Sequence, residues 1–274
     1  MYIGIDIGGT HTRVAVGENG KYFAKRDFPT NELEETLSQI KQSISNLDAF
    51  KAKAIGVAVA GPVDHQKQIL YHPPNLPSSW RGKNVSNIFT DKIGIKTFIG
   101  HDASVAALGE AIYGAGKDKN PVLYYTVSTG IGSGLVVNGN IYHGIFNPEA
   151  GHQIFSREGE PCDCGQLGDL ESLASGKSLQ KKTGKEPIEV EGSDTWREAM
   201  EWIAIGVANS ILHFSPEIVV IGGGMTKNKE IFFAPINEAL KKYLKFTPPV
   251  PVVPSGLGQD SSLIGALELA QSSS

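Results

Sequence analysis

Three glycine-rich turns, each directly after an apolar segment, constrain this chain more than any other feature. They are Gly8-Gly9-Thr10 after residues 2–7, the run 128–134 after residues 122–127, and Gly222-Gly223-Gly224 after residues 218–221. Because glycine has no Cβ, such turns let backbone N–H groups approach a phosphate closely. A single turn of this kind is equally compatible with a hairpin that binds nothing, but three at strand ends favour a nucleotide site in an α/β protein.

The apolar pattern of the whole chain predicts two halves of similar architecture. In each half, three strands in a meander precede helices that alternate with further strands. Helices are predicted at 33–47, 85–91, 103–113, 195–214, 231–245 and 261–270, with Asn31 as the N-cap of the first and Glu34 completing a capping box.

The stretch 114–118 is the predicted domain boundary, because two glycines and polar residues follow the third helix there. We expect a smaller N-terminal α/β domain at 1–114 and a larger C-terminal α/β domain at 115–260. The final helix, at about 261–271, is expected to pack back on the first domain. The cleft between two such domains is where small ligands usually bind.

Composition excludes several classes of protein. Among 274 residues, 25 Lys and Arg stand against 29 Asp and Glu, and the net charge of −4 disfavours a nucleic-acid partner. The apolar runs are too short to span a bilayer, and the first residues lack the basic region of a signal peptide. Two cysteines separated by one residue do not make a disulfide framework, so we expect a reducing compartment, the cytoplasm.

Asp102 and Asp6 are the carboxylates predicted to take part in phosphoryl transfer. Asp102 lies between a predicted strand at 97–99 and a helix, a place that faces the carboxyl end of a sheet. A carboxylate there can accept the proton of an attacking hydroxyl, although an ordinary helix N-cap is the simpler explanation from local sequence. Asp6, near the end of the first strand, can hold Mg²⁺ through water.

Several polar side chains are suited to the hydroxyl groups of a sugar. Glu149, His152 and Glu171 surround the cysteine pair, and Asn75 lies in a loop flanked by prolines. Carboxylates, imidazoles and amides accept or donate hydrogen bonds in fixed directions, as vicinal hydroxyls require. The alternative is that both glutamates are solvated surface charges and that Asn75 is a turn residue.

His152, Cys162, Cys164 and Asp169 form a ligand set that suits tetrahedral zinc. The alternative is a loop with two free thiols, since Cys-x-Cys is not the common zinc spacing. The segment is rich in turn residues and has no apolar stripe of its own, which favours a metal that holds it together.

Taken together, these motifs resemble the ROK family of bacterial sugar kinases and repressors, over essentially the whole chain. The matching segments are 6–13 for the first phosphate motif, 60–64 for the sugar-side turn, 102–103 for the catalytic motif, 129–134 for the second phosphate motif, and 149–152 with 162–176 for the signature of the family. The resemblance implies an α/β fold of two actin-like ATPase (ribonuclease H-like) domains with an interdomain cleft, and a homodimer.

The resemblance also implies a role for each matching residue. Asp102 is expected as the general base on the 6-hydroxyl of a hexose. The other expected sugar contacts are Gly61, Asn75, His101, Glu149, His152 and Glu171. The residues expected to bind ATP with Mg²⁺ are Asp6, Gly8, Gly9, Thr10, Thr12, Arg13, Thr129, Gly130, Gly223 and Gly224.

The sequence departs from the family at two positions. His101 stands where the family usually has asparagine before the base, and Asp169 stands where it has a third zinc cysteine. An oxygen ligand is less suited to a soft metal site, but we still expect structural zinc at His152, Cys162, Cys164 and Asp169. Such zinc would fix the loop that carries His152 and Glu171.

Glucose is the expected substrate, because residues 74–80 resemble the same part of ROK glucokinases. Relatives with similar motifs act on N-acetylglucosamine, N-acetylmannosamine, fructose or allose, and a donor such as polyphosphate stays open. A non-catalytic sugar sensor or regulator is the alternative from another class. Regulators of the family carry a DNA-binding module ahead of the sugar domain, whereas here the first phosphate strand is expected to begin at Tyr2.

Overall fold

The computed structural model describes residues 1–73 and 75–274 as an alternation of strands and helices. In chain order the strands are β1 (Tyr2–Ile7), β2 (His11–Glu18), β3 (Lys21–Pro29), β4 (Ile55–Val59), β5 (Val63–Asp64), β6 (Ile69–Leu70), β7 (Lys83–Asn84), β8 (Thr97–His101), β9 (Val122–Val127), β10 (Ile131–Val137), β11 (Asn140–Ile141), β12 (Ile218–Gly222) and β13 (Val252–Pro254). The helices are α1 (Leu33–Asn46), α2 (Val85–Ile93), α3 (Asp102–Tyr113), α4 (Leu170–Ala174), α5 (Gly176–Thr183), α6 (Asp194–Phe214), α7 (Lys229–Tyr243) and α8 (Ser261–Ser272).

Two five-stranded mixed sheets repeat one topology. Their strand orders are β3-β2-β1-β4-β8 and β11-β10-β9-β12-β13. In each sheet the first three strands form an antiparallel meander, and the last two run parallel to the first strand of that meander. The predicted α/β class and the meander in each half are therefore confirmed. Strands β5, β6 and β7 form a small third sheet in the first half.

Helices α3 and α8 cross between the two sheets at a close approach. Helix α8 packs on β1 and β4, whereas α3 packs on β9 and β10 of the second sheet. A Cβ on Gly265 would lie 1.9 Å from the carbonyl oxygen of Val105, and one on Gly109 would lie 2.5 Å from that of Ser261. Glycine at these two positions lets the helix backbones touch. The predicted boundary near residue 114 stays a prediction.

The two larger apolar cores lie on the outer faces of the sheets, and a smaller one surrounds α3 and α8 between them. One core joins the first sheet to α1 and α2, with Ile5, Ile40 and Phe89 fully buried. The other joins the second sheet to α6 and α7 around Trp196 and Phe232. These cores hold the sheets rigid, so the strand ends that carry polar side chains are set on a firm scaffold. Within the described residues, no helix is both long and apolar enough to cross a membrane.

Two local predictions differ from the structure. The N-cap of α1 is Glu32, without a side-chain cap bond, because the N–H of Asn31 is already bonded to the Thr36 hydroxyl and its side chain to Glu35. Short helices α4 and α5 occupy part of a stretch that the sequence predicts as loops. Each begins at a capping side chain, Asp169 and Ser175 respectively, and is too short to show a clear apolar period.

Candidate active site

The carboxyl ends of the parallel strands carry the predicted site residues. In the first sheet, β1 leads into Gly8 and Gly9, β4 into Gly61, and β8 into Asp102. In the second sheet, β9 leads into residues 128–130 and β12 into 223–224. Ligands of open α/β sheets bind outside such strand ends. The fold therefore gathers the three glycine-rich turns and the predicted base at the edges where binding is expected.

Asp102 is the first residue of α3 and does not cap the helix. The N-cap is His101, which makes no capping side-chain bond. Oδ1 of Asp102 accepts the N–H of Ala103 at 2.7 Å and lies 3.2 Å from Nε2 of His101. The Asp102 side chain is 36% exposed, whereas His101 is buried. The ordinary N-cap explanation of Asp102 is therefore wrong, and its carboxylate is accessible at a strand end beside an imidazole.

The first phosphate turn touches the loop that carries Asn75. A Cβ on Gly9 would lie 2.7 Å from the carbonyl oxygen of Asn75, so this approach requires glycine. The N–H of Gly8 closes the turn on the carbonyl of His11 at 3.0 Å. Gly9, Thr10 and Asn75 are exposed and thus accessible to a ligand. Pro74, beside Asn75, lies outside the described residues.

Gly61 brings the turn after β4 against the start of the same loop. Its φ is +111°, and a Cβ there would lie 2.7 Å from Cα of Pro73. Both the backbone angle and the contact favour glycine at this position.

Asp6 and Arg13 form a part-buried pair between β1 and β2. The Nε and Nη2 of Arg13 donate to Oδ2 of Asp6, the first at 3.0 Å, and its Nη1 donates to Asp260 at 3.2 Å and to the carbonyl of Gln259 at 2.7 Å. Burial raises the pKa of Asp6, although the Arg13 guanidinium acts to lower it. Arg13 thus ties the first phosphate strands to the start of α8, and its predicted contact with ATP stays a prediction.

Thr12 does not lie where the sequence predicts a ligand contact. Its side chain is fully buried, and its hydroxyl lies 2.9 Å from that of Thr30 on the facing strand. The alternation of β2 explains this, since Thr12 points into the sheet interior. The Thr12 hydroxyl is therefore a structural group and is not available to ATP.

Glu171 links the second phosphate turn to the predicted sugar site. Its Oε2 accepts the N–H of Ile131 at 2.8 Å, and a Cβ on Gly130 would lie 2.5 Å from the same oxygen. Its Oε1 lies 3.8 Å from Sγ of Cys162 in the cysteine loop. One side chain thus touches both the expected phosphate turn and the expected zinc loop.

Glu149 is held in place by a buried serine that the sequence analysis did not single out. The hydroxyl of Ser133 donates to the carbonyl of Pro148 and accepts the N–H of Ala150, both at 2.9 Å. Burial raises the pKa of Glu149; the charges of His101 and His152 act to lower it, and those of Asp102 and Glu171 add to the increase. Glu149 is therefore an electrostatic neighbour of four other predicted site residues.

The four predicted zinc ligands converge. One ligand atom from each of His152, Cys162, Cys164 and Asp169 lies within 4.8 Å of the others. The Nδ1 of His152 is 2.9 Å from Oδ2 of Asp169, and Sγ of Cys164 is 3.5 Å from that oxygen. Tetrahedral zinc has ligand atoms about 3.3–3.8 Å apart, given its bond lengths. The donor set therefore suits one zinc ion, and the pair of Nδ1 and Oδ2 lies closer together here than it would around that ion.

Asp169 serves the helix and the cluster with different oxygens. Its Oδ1 accepts the N–H of Ser172 at 2.8 Å and caps α4, which leaves Oδ2 toward His152 and Cys164. Burial acts to raise the pKa of Asp169, but hydrogen bonds from His152, Cys162 and Ser172 outweigh it and lower the pKa. The aspartate is thus held as a carboxylate, the form that ligates a metal.

A cavity of about 430 Å³ lies beside the second phosphate turn. It is lined by Ser128, Thr129, Gly176, Lys177, Gln180, Glu186, Pro187, Ile188, Glu191, Trp196, Gly224, Met225 and Lys227. The sequence analysis missed the part from 176 to 191, although Ser175-Gly176 belongs to the signature segment quoted above. The N–H groups of Gly176 and Lys177 donate to the carbonyls of Ser128 and Thr129 at 2.8 and 3.1 Å, which fixes α5 against the turn.

The two predicted adenosine glycines differ in role. Gly224 lines the cavity. Gly223 has a φ of +104°, and a Cβ there would lie 2.3 Å from the carbonyl oxygen of Val127. Gly223 therefore lets the third turn pack against the end of β9.

Comparison with known proteins shows what this architecture is similar to. The ROK hexokinase from Thermus thermophilus superposes with a TM-score of 0.90 at 28% identity, covering 99% of this chain and 98% of that one. A ROK family glucokinase from Streptomyces griseus, in complex with glucose and AMPPNP, superposes with a TM-score of 0.85 at 26% identity over 99% of both chains. The glucokinase of Thermotoga maritima is 29% identical over 305 residues, which cover 97% of this chain and 96% of that protein.

The protein therefore has the two-lobed actin-like ATPase fold of these sugar kinases, as the sequence predicts. The sequence model of the ROK family matches residues 2–273, and the chain belongs to that family.

Proposed function

We propose that the protein transfers the terminal phosphoryl group of ATP to the 6-hydroxyl of a hexose, with glucose as the first candidate. One observation carries this proposal: in each half, a turn expected to bind phosphate touches a residue expected to bind sugar. Gly9 contacts Asn75 in the first half, and the turn at Gly130 contacts Glu171 in the second. A relative of the same fold in complex with glucose and AMPPNP supports this pair of substrates.

Asp102 accepts the proton of the attacking hydroxyl in this proposal, beside the imidazole of His101. Asn75, Glu149, His152 and Glu171, with the turn at Gly61, bind the remaining hydroxyls. Because phosphoryl transfer needs little covalent help from the protein, positioning the hydroxyl in line with the phosphorus provides most of the acceleration. General-base help at Asp102 contributes about 10²–10⁴-fold.

ATP is bound on the other side of the reacting hydroxyl. The turns at Gly8, Gly9, Thr10, Thr129 and Gly130 bind the phosphates through their backbone N–H groups, and the cavity at Gly224 takes the adenosine. Mg²⁺ neutralises charge on the phosphates when it is bound, and Asp6 holds one of its water molecules in this proposal. Zinc, held by His152, Cys162, Cys164 and Asp169, fixes the loop that carries His152 and Glu171. A homodimer stays an expectation from the family resemblance, and a cytoplasmic location stays one from the cysteine content.

A panel of hexoses with saturating Mg-ATP tests the proposal, scored by kcat/KM for ADP release. Glucose is expected to give the highest value among glucose, fructose, allose, N-acetylglucosamine and N-acetylmannosamine. Asp102→Asn is expected to lower kcat about 10²–10⁴-fold, the usual contribution of a general base. Asp91→Asn, which changes an exposed aspartate on α2, is the matched control and should leave kcat unchanged.

Each outcome of this panel has a distinct meaning. A higher kcat/KM for another hexose would replace glucose as the substrate and would leave the proposed kinase activity in place. Hexose binding without ADP release from any sugar would contradict the kinase and favour the sensor. Equal kcat values of Asp102→Asn and the wild type would contradict the assignment of Asp102 as the general base.

A further inference from the structure

A row of polar side chains in contact with one another leads away from Asp102 and passes between the two halves of the molecule. Its members, in order, are Asp102, His101, Ser104, Asn147 and His65. His65 lies between β5 and β6 in the first half, whereas Asn147 follows β11 in the second. Ser104, Asn147 and His65 are not among the residues that the motifs predict for the site.

The first distance of this row is that of an ion pair, and the other three are those of hydrogen bonds. The distances are 3.2 Å from Asp102 Oδ1 to His101 Nε2, 3.5 Å from His101 Nδ1 to Ser104 Oγ, 3.3 Å from Ser104 Oγ to Asn147 Nδ2, and 2.8 Å from Asn147 Nδ2 to His65 Nε2. His101 is 6% exposed, Ser104 0% and Asn147 1%. Bulk water therefore does not compete for the three middle members, and their partners are each other.

The carboxylate at one end sets the direction of every donor. A carboxylate only accepts, so Nε2 of His101, the ring nitrogen 3.2 Å from Oδ1 of Asp102, is the one expected to carry the proton. In that tautomer Nδ1 of His101 is an acceptor, and the hydroxyl of Ser104 donates to it. The oxygen of Ser104 then accepts one N–H of Asn147, and the second N–H of Asn147 donates to Nε2 of His65.

The reversed orientation of the Asn147 amide is less favourable. Ser104 would then donate to Asn147 and accept from Nδ1 of His101, which would leave a bare lone pair of Nε2 against the Asp102 carboxylate. In the orientation that the structure shows, the buried Oδ1 of Asn147 has no hydrogen-bond partner within the described chain. An under-satisfied carbonyl oxygen is the more common and the milder defect.

We propose that Ser104 and Asn147 are positioning residues that hold His101 as its Nε2–H tautomer, directed at the carboxylate of Asp102. This inference rests on the proposed function, because it concerns the aspartate that receives the proton there. The imidazole, which stands where the family usually has an amide, then keeps Asp102 oriented toward the sugar hydroxyl. His65 belongs to the first half and Asn147 to the second. Their hydrogen bond therefore links the tautomer of His101 to the relative position of the two halves.

A double-mutant cycle tests whether Ser104 acts through His101. Ser104→Ala removes the donor to Nδ1 and is expected to lower kcat about tenfold with the sugar KM nearly unchanged, the scale of one hydrogen bond of ordinary strength. In a His101→Gln background, where the amide donates without any need of Ser104, the same change is expected to alter kcat less than about twofold. Ser43→Ala, which changes another buried serine with a backbone partner, is the matched control.

Nitrogen-15 NMR of histidine-labelled protein gives a readout that does not need activity. The signals of His101, assigned by their loss in His101→Gln, should show the Nε2–H tautomer in the wild type and a mixture of tautomers in Ser104→Ala and Asn147→Ala. A purely structural role of Ser104 would give additive losses in the cycle and an unchanged tautomer.

Either that result or an Nδ1–H tautomer in the wild type would overturn the proposal. Failure of the hexose panel would instead show as a wild type without ADP release, whatever the NMR signals report. The thermal midpoints of the variants check that each one is folded.

Discussion

At the scale of single residues, burial and neighbours decide what each polar side chain does, and residue type alone does not. Thr10 and Thr12 both follow the first phosphate strand, yet Thr10 is exposed in the turn and Thr12 is buried against Thr30. Asp102 and Asp6 are both strand-end carboxylates, but only Asp6 is paired with an arginine. Residues of the same type therefore differ in exposure and in partners, which residue type alone does not show.

His65 gives a prediction at this scale. Burial, followed by the charges of His143 and His101, lowers the pKa of His65 from its usual 6.5 to about 4. Below pH 6.5 the unfolded chain binds a proton that the folded protein resists, so folding stability falls as the pH falls from 6.5 toward 4. His65→Gln, which keeps an acceptor for Asn147, is expected to make this loss shallower.

Urea unfolding at pH 7.5, 6.0 and 5.0 measures the effect as a change in the free energy of unfolding. His72→Gln, which changes an exposed histidine, is the control and should follow the wild type. Equal slopes for His65→Gln and the wild type would contradict the prediction.

At the scale of elements, the short helices after the cysteine loop are anchored in the core around Trp196 by Leu170, Ala174 and Leu179. Helix α4 has five residues and α5 has eight, and each begins with a side-chain cap. Asp169 caps α4 and also faces His152 and the cysteines, so the cluster and the start of the helix share one residue. A metal there would order the loop and the helix together.

Removal of zinc gives the prediction at this scale. Elemental analysis of freshly purified protein is expected to show zinc, and treatment with a chelator is expected to raise the sugar KM before it affects nucleotide binding. The physical reason is that the cluster contains His152 and borders Glu171 on α4, whereas the cavity proposed for adenosine is lined by α5 and the third turn. Equal loss of sugar affinity and nucleotide affinity would count against a role of zinc that is specific to the loop. Purified protein without zinc would contradict the metal site.

At the scale of the whole molecule, a buried carboxylate joins the segments that cross between the sheets. Glu110 on α3 is fully buried. It accepts hydrogen bonds from the N–H groups of Ala115, Gly256 and Leu257 and from the hydroxyls of Ser255 and Ser261. The end of α3 is thereby fastened to the chain that enters α8, the second helix between the sheets.

Glu110→Gln is expected to lower the free energy of unfolding by about 3 kcal/mol, because one amide oxygen cannot serve donors that two carboxylate oxygens serve now. Urea unfolding checks the value against Glu238→Gln, an exposed change on α7 that should cost little. A loss no greater than that of the control would show that water replaces the carboxylate at this junction.

Much of the fold and part of the site follow from sequence alone. The strands of the two five-stranded sheets, the three turns and the six longer helices carry strong local signals, and the candidate zinc ligands are recognisable by residue type. The capping side chain of α1 and the helices α4 and α5 were not predictable, because Asn31 is engaged by Thr36 and because five to eight residues hold no clear period.

The sequence by itself determined the α/β class, the glycine turns at the strand ends and the four candidate metal ligands, because each depends on neighbouring residues and on backbone angles that only some residue types adopt. Only the tertiary structure decided that Thr12 is buried, that Glu171 holds the second phosphate turn and that a row of side chains joins Asp102 to His65. These depend on contacts between segments far apart in the chain, whose approach is set by the packing of α3 and α8 between the two sheets.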